Sequence, residues 1–269
     1  LFIQTTHPQK ALILGPTYSE YEREIALEGG HTLYYPLKEE DDFQMDVADF
    51  CQHLNDSLDL LVLCNPNNPT GTAVPKQELE ELAEFLEKQK ICFALDECFV
   101  DFVEHPNVHT MKPYLAESEN LFILKAFTKR YAMAGIRLGY GLSENEELLE
   151  KMSQVTQPWN ISVMAEMAGI AALKENAYVE KGRKTIFEEA PCLKKGLEEL
   201  GFTVYPSEAN YIFFRGEPGL FEKGIRNGVI IRDCSNYPGL PEGFYRVAVR
   251  THQENERLLE ALKKGLEGE

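Results

Sequence analysis

Short apolar runs alternate with amphipathic stretches through the first half of the chain, and that alternation predicts repeated strand–helix units. Residues 11–14 form an apolar run stopped by Gly15-Pro16, after which residues 18–24 read as the start of a helix. Residues 32–36 are a second strand candidate, followed by an acidic loop and an amphipathic stretch over 45–54. Residues 58–64 are almost continuously apolar, as expected of a parallel strand covered on both faces. They run into the turn-rich Asn65-Pro66-Asn67-Asn68-Pro69-Thr70-Gly71, and Pro75 opens a helix to about residue 90 with Leu79, Leu82, Phe85 and Leu86 as its stripe. Two more buried strands, over 91–95 and 121–124, end at Asp96-Glu97 and just before Thr128-Lys129. Such an order predicts an α/β fold, a parallel sheet with right-handed crossovers. Ligands collect at the carboxyl ends of the strands in such sheets, and Tyr18, Asn68, Asp96 and Lys129 all fall there.

After Tyr140 the pattern changes. A helix is predicted over 144–153, a break at Gln157-Pro158-Trp159-Asn160, and a long helical stretch over 162–200 with a break near Pro191. Strand candidates at 202–205, 210–214, 229–231 and 245–249, with helices over 220–227 and 253–266, make a smaller α+β unit. The expected organisation is a large domain over residues 1–157 and a small C-terminal domain, with its long connecting helix, over 158–269.

Composition narrows the partners. With 269 residues, 43% of them hydrophobic, the chain has material for one or two cores, and its net charge of −17 argues against nucleic-acid or anionic-membrane surfaces. Six cysteines lack Cys-x-x-Cys spacing and read as small buried hydrophobes in a reducing cytoplasm. No apolar run approaches membrane-helix length, and Leu1-Phe2-Ile3-Gln4 lacks a basic region before a signal core. The sequence opens without Met inside an apolar stretch, so a fragment with a missing upstream portion is expected.

The residues at the strand ends match the needs of a pyridoxal phosphate site: an amine for the aldehyde, an acid beside the ring nitrogen, a donor to the ring hydroxyl, a flat face to stack on the ring, and cations for the phosphate. Lys129 is the candidate amine, since a desolvated lysine near fixed positive charge forms a Schiff base readily. Asp96 is the candidate acid, Asn68 the donor, Tyr18 the stacking ring and Arg137 the phosphate cation. Each has an ordinary alternative: a solvated charge for Lys129, a helix N-cap for Asp96, a turn former for Asn68, a packing ring for Tyr18 and a surface ion pair for Arg137.

The order Asn65-Pro66-Asn67-Asn68-Pro69-Thr70-Gly71, then Asp96-Glu97 with Asp96 28 residues after Asn68, then Thr128-Lys129 and Gly135-Ile136-Arg137-Leu138-Gly139-Tyr140, resembles the fold type I, class I/II aminotransferase family over essentially the whole chain. The resemblance implies a three-layer large domain with a small α+β domain and pyridoxal 5'-phosphate as cofactor. By it, Lys129 carries the cofactor, Asp96 pairs with the pyridinium, Asn68 bonds the ring hydroxyl, Thr128 and Arg137 belong to the cofactor site, Tyr18 stacks, and Arg246 takes a substrate α-carboxylate. It also implies a homodimer.

Within the family the chain is most similar to the branch of histidinol-phosphate aminotransferases and the threonine-phosphate decarboxylases of cobalamin biosynthesis. The stretches Ile230-Ile231-Arg232-Asp233-Cys234-Ser235-Asn236-Tyr237-Pro238-Gly239-Leu240 and Phe244-Tyr245-Arg246-Val247-Ala248-Val249-Arg250 look more like the decarboxylases, as does Phe99 where most relatives place a tyrosine. Arg232 and Arg246 make a basic pair suited to a substrate with both carboxylate and phosphate; strand-end surface charges are the alternative. The expected reaction is decarboxylation of L-threonine O-3-phosphate, with transamination of histidinol phosphate or a non-catalytic fragment as rivals. Ala126 departs from the hydroxyl residue usual three positions before the lysine, which removes one phosphate contact. The family's glycine-rich phosphate loop is expected to precede Leu1.

Overall fold

The computed structural model describes residues 1–55 and 57–268. In chain order the elements are α1 (Phe2–Thr6), β1 (Lys10–Gly15), α2 (Glu20–Leu27), β2 (His31–Pro36), α3 (Val47–His53), β3 (Leu60–Cys64), α4 (Lys76–Gln89), β4 (Cys92–Asp96), β5 (Leu121–Ala126), α5 (Phe127–Arg130), β6 (Gly139–Leu142), α6 (Glu146–Val155), α7 (Val163–Ala172), α8 (Asn176–Glu199), β7 (Thr203–Val204), β8 (Tyr211–Arg215), α9 (Leu220–Arg226), β9 (Arg232–Asp233), β10 (Phe244–Ala248) and α10 (His252–Glu267).

Strands β1 to β6 form one sheet in the order β2-β1-β3-β4-β5-β6. Its side chains divide by parity, as the two-residue period of a strand requires. Leu12, Leu14, Leu61, Leu63, Phe93 and Leu95 pack on one face with Phe50 of α3 and with Leu79, Leu82 and Leu86 of α4. Ala11, Ile13, Leu60, Val62 and Ala94 pack on the other with Ile25 of α2 and with Phe2 and Ile3 of α1. Both faces of the central strands are therefore apolar, and the sheet is the middle of three layers.

The sheet is not wholly parallel. Strand β6 pairs with β5 antiparallel, Ala126 opposite Gly139 and Ile123 opposite Leu142. The four-residue segment Gly139-Tyr140-Gly141-Leu142 lacks an apolar run and lies at the edge, where one-sided pairing suffices. The second sheet, in the order β7-β8-β10-β9, is antiparallel throughout. Its Phe213 and Phe244, stacked 5.5 Å apart, join Tyr205 and Phe43 in the core of the large sheet, while Ile212, Phe214 and Tyr245 pack with Leu193 and Leu197 of α8 and Leu262 of α10.

Three details differ from the sequence reading. The long helical stretch breaks between Ala172 and Asn176, not near Pro191, which lies inside α8. Pro191 is exposed, so its ring sits on the solvent-facing side of the helix. The strand expected over 229–231 sits at Arg232–Asp233, because Arg232 and Asp233 are the residues in register with Arg246 and Tyr245 while Ile230 is 82% exposed. The six cysteines are free, but only Cys64 and Cys234 are fully buried, and Cys192 is exposed on α8. No described helix is long and apolar enough to cross a membrane.

Glu39, in the loop after β2, ties the two sheets from outside. It accepts from the Tyr205 hydroxyl at 2.5 Å and from Arg215 at 2.9 Å. The Tyr205 bond, with Arg215 beside it, holds the Glu39 carboxyl below its ordinary value of 4.5, against partial desolvation. A depressed carboxyl stabilises the folded chain above its unfolded value, and that contribution is lost as pH falls through the folded value. Glu39→Gln is expected to lower stability by about 0.5–1 kcal/mol at neutral pH, solvent screening included, measured by urea unfolding. The difference from the unaltered chain should shrink as pH falls below 4.5.

Candidate functional site

The strand ends bring most of the expected residues to one edge of the large sheet. Asp96 closes β4 and is 8% exposed. Its Oδ1 accepts the backbone amide of Cys98 at 2.9 Å and its Oδ2 accepts the Tyr21 hydroxyl at 2.6 Å. Cys64 and Cys98 lie alongside, and burial, then the Asp96 charge, pushes both thiols up, so they are neutral. Tyr18 and Tyr21 meet edge to face at 5.5 Å, and Tyr18 lies within electrostatic reach of Arg137 and Asp96. A cavity of about 430 Å³ is lined by Tyr18, Tyr21 and Asp96 together with apolar residues of β3, β5 and β6.

A second cavity, of about 930 Å³, holds Lys129, Phe99, Tyr211, Arg232 and Arg246. The Lys129 amine stands 5.7 Å over the Phe99 ring, Phe99 meets Tyr211 edge to face at 5.1 Å, and the Arg246 guanidinium lies 4.8 Å over Tyr211. Arg246 donates to Asn68 Oδ1, which also takes the Tyr237 hydroxyl at 3.4 Å. Arg232 lies over the Tyr237 ring at 5.6 Å and donates to Asn236. Contacts thus run from Lys129 to Arg246, Asn68, Tyr237 and Arg232.

The loop of Asn68 is fixed from both sides. Asn67 donates to the Pro16 carbonyl at 3.0 Å and accepts from Thr17 at 2.7 Å, while its own carbonyl takes the Tyr211 hydroxyl at 2.6 Å. Gly71 has φ +78°, and its carbonyl accepts the Glu208 amide at 2.8 Å. A Cβ there would fall 2.1 Å from the Ser207 hydroxyl, so only glycine permits this approach.

Two placements depart from expectation. Lys129 is exposed on α5, not desolvated. Arg137 is exposed, with φ +58°, and donates to its own turn at Ala134. Neither Arg137 nor the half-buried Thr128 lines either cavity. Backbone strain at a non-glycine residue often marks a functional site, so Arg137 stays a candidate.

Four charged residues beside the site escaped the sequence reading. Glu97 is fully buried and pairs with Lys125 at 3.4 Å; Lys125 also meets Asp101 at 3.5 Å, and Asp101 pairs with Arg130. Glu97 further accepts the Thr110 hydroxyl and the Met111 amide, both at 2.7 Å. The one legible signal was a lysine inside the apolar run of β5. Tyr21, Tyr211 and Tyr237 were also missed as partners; Tyr21, in the first turn of α2, meets Tyr18, which lies just before that helix.

The chain as a whole is similar to known proteins. The family model for aminotransferase class I and II matches residues 1–262. Threonine-phosphate decarboxylase of Salmonella typhimurium is 35% identical over 265 residues, 97% of this chain and 72% of that protein. Histidinol-phosphate aminotransferase of Brevibacillus brevis is 32% identical over 96% of this chain and 70% of its own length. The solved histidinol-phosphate aminotransferase of Clostridium acetobutylicum superposes with a TM-score of 0.92 at 32% identity, over 99% of this chain and 80% of that one. The fold, a three-layer sheet with a second antiparallel sheet, is that of the pyridoxal-phosphate enzymes of fold type I. The chain belongs to the aminotransferase class I and II family.

Removing the buried cation tests how the site is held. Lys125→Met leaves Glu97 charged and short of a partner, and is expected to cost about 3–5 kcal/mol in urea unfolding. Lys129→Met, at an exposed position, should change stability by less than about 0.5 kcal/mol in the same measurement.

Proposed function

We propose that this protein is a pyridoxal-phosphate enzyme that decarboxylates L-threonine O-3-phosphate in the cytoplasm, as a step of cobalamin biosynthesis, and works as a homodimer. Residues 1–157 hold the cofactor and residues 158–269 supply the groups that select the substrate. The observation that carries the reading is the shared cavity of Lys129, Arg232 and Arg246, lined also by Arg250, Arg257, Asp233 and Glu254: cations outnumber anions there in a chain of net charge −17.

The side-chain types match those the cofactor needs, with Asp96 and Tyr18 lining one cavity and Lys129 the other. Asp96 is buried and held by two donors, and a carboxylate oxygen can accept more than one hydrogen bond, so it can still receive a ring N–H. Lys129 has no ion partner among the described residues and is open to an aldehyde. Asn68 offers its amide to the ring oxygen, Tyr18 a face to the ring, and Thr128 and Arg137 contacts to the phosphate. When bound, the cofactor supplies an electron sink for the pair left at the substrate α-carbon.

The residues of the chain choose the bond. Arg246, held by Asn68 and stacked on Tyr211, binds the α-carboxylate; Arg232, on Tyr237, takes the substrate phosphate. With both anions held, the substrate would be kept in one orientation beside Lys129. With the cofactor bound, the α-carboxylate held by Arg246 would be the group lost as CO2, and Lys129 Nζ would donate the proton that replaces it at the α-carbon.

Transamination of histidinol phosphate is the second reading, favoured by the 0.92 TM-score to a histidinol-phosphate aminotransferase. Protein, pyridoxal phosphate and threonine phosphate are expected to release CO2, and Lys129→Ala to abolish it. Arg232→Gln should raise KM about 10–100-fold, the loss of a hydrogen bond to a charged group. Pyridoxamine phosphate accumulating with histidinol phosphate, reversed by a keto acid and without CO2, would instead establish the second reading.

A further inference from the structure

We infer that Tyr21 is a positioning residue for Asp96: its hydroxyl sets the orientation of the carboxylate that faces the ring nitrogen of pyridoxal phosphate. The inference rests on the assignment of Asp96 above and adds a residue to that site. Asp96 is gripped at both oxygens, by the Cys98 amide within its own strand end and by Tyr21 from α2. The strand-end bond comes with the backbone turn, but the second is supplied by a side chain 75 residues away in sequence. That side chain is itself immobilised. The Tyr21 ring is partly buried, packs against the core behind the small sheet and against the core between α2 and the large sheet, and meets Tyr18 edge to face. A fixed ring places its hydroxyl in one position, and the carboxylate must turn to meet it.

The neighbourhood keeps the bond of one sign. Burial, then the Asp96 charge, holds the Tyr21 hydroxyl well above its ordinary value of 10.0, so it stays a donor. The thiols of Cys64 and Cys98 stay neutral, so neither competes as an anion for the hydroxyl. Tyr18 lies just before α2, and its carbonyl accepts the amide of Tyr21, in the first turn of α2, at 3.3 Å.

The test is a double-mutant cycle read by cofactor affinity, with equilibrium dialysis of pyridoxal phosphate against the full chain. Tyr21→Phe keeps the ring and should weaken binding about tenfold, as expected for one hydrogen bond to a charged group. In an Asp96→Asn background, where no charge remains to orient, the same change should weaken it by no more than about threefold. A second readout is the pH titration of the visible band of the bound cofactor. Its midpoint should rise in Tyr21→Phe, because the Asp96 charge is then less neutralised by a donor and favours the cationic form. Equal losses in both backgrounds, or an unmoved affinity and midpoint, would overturn the role. Neither readout needs substrate, so absence of CO2 release would defeat the proposed reaction and leave this inference standing. A chain that takes up no cofactor would contradict both.

Discussion

The ion network of Glu97, Lys125, Asp101 and Arg130, buried at Glu97 and Lys125, is the constraint on which the site depends. It joins the end of β4 to β5 and α5, so that the turn after Asp96 and the turn bearing Lys129 cannot shift independently. Charges buried this deeply are costly unless paired, and the geometry here answers that cost with neighbouring hydrogen bonds from Thr110 and Met111 to Glu97. Asp96 and Lys129 flank this rigid piece, one facing each cavity. Precision at the site is thus a property of the strand ends rather than of the exposed lysine itself.

A second constraint crosses between the sheets. The loop of Asn67 and Asn68 is bonded to Pro16 and Thr17 on one side and to Tyr211, Tyr237 and Arg246 on the other. Groups suited to a ring and groups suited to substrate anions therefore share one backbone segment. A movement of the small sheet would be felt at Asn68, and Gly71 is what lets the chain pass close enough for that linkage.

Much of this was legible in the sequence. Apolar runs that stop at Gly15-Pro16, Asn65-Pro66 and Asp96-Glu97 mark strand ends, because buried parallel strands are apolar on both faces and turns need special residues. Residues that bridge distant elements were not legible: Tyr21 and Tyr237 reveal their partners only once the chain is folded, and Lys125 looks like an interruption until Glu97 is set beside it. Edge pairing of β6 was hidden as well, since four residues with two glycines carry no strand period. The expected desolvation of Lys129 failed for a related reason: a position after an apolar strand does not fix the exposure of a side chain on the following helical turn.

The central claim is that Lys129, and not the buried Lys125 four residues before it, carries the cofactor. Borohydride reduction of the protein mixed with pyridoxal phosphate, followed by peptide mass mapping, tests it most directly. The account predicts a single reduced adduct on Lys129, with loss of the visible absorbance; an adduct on Lys125, or none on either lysine, would contradict it.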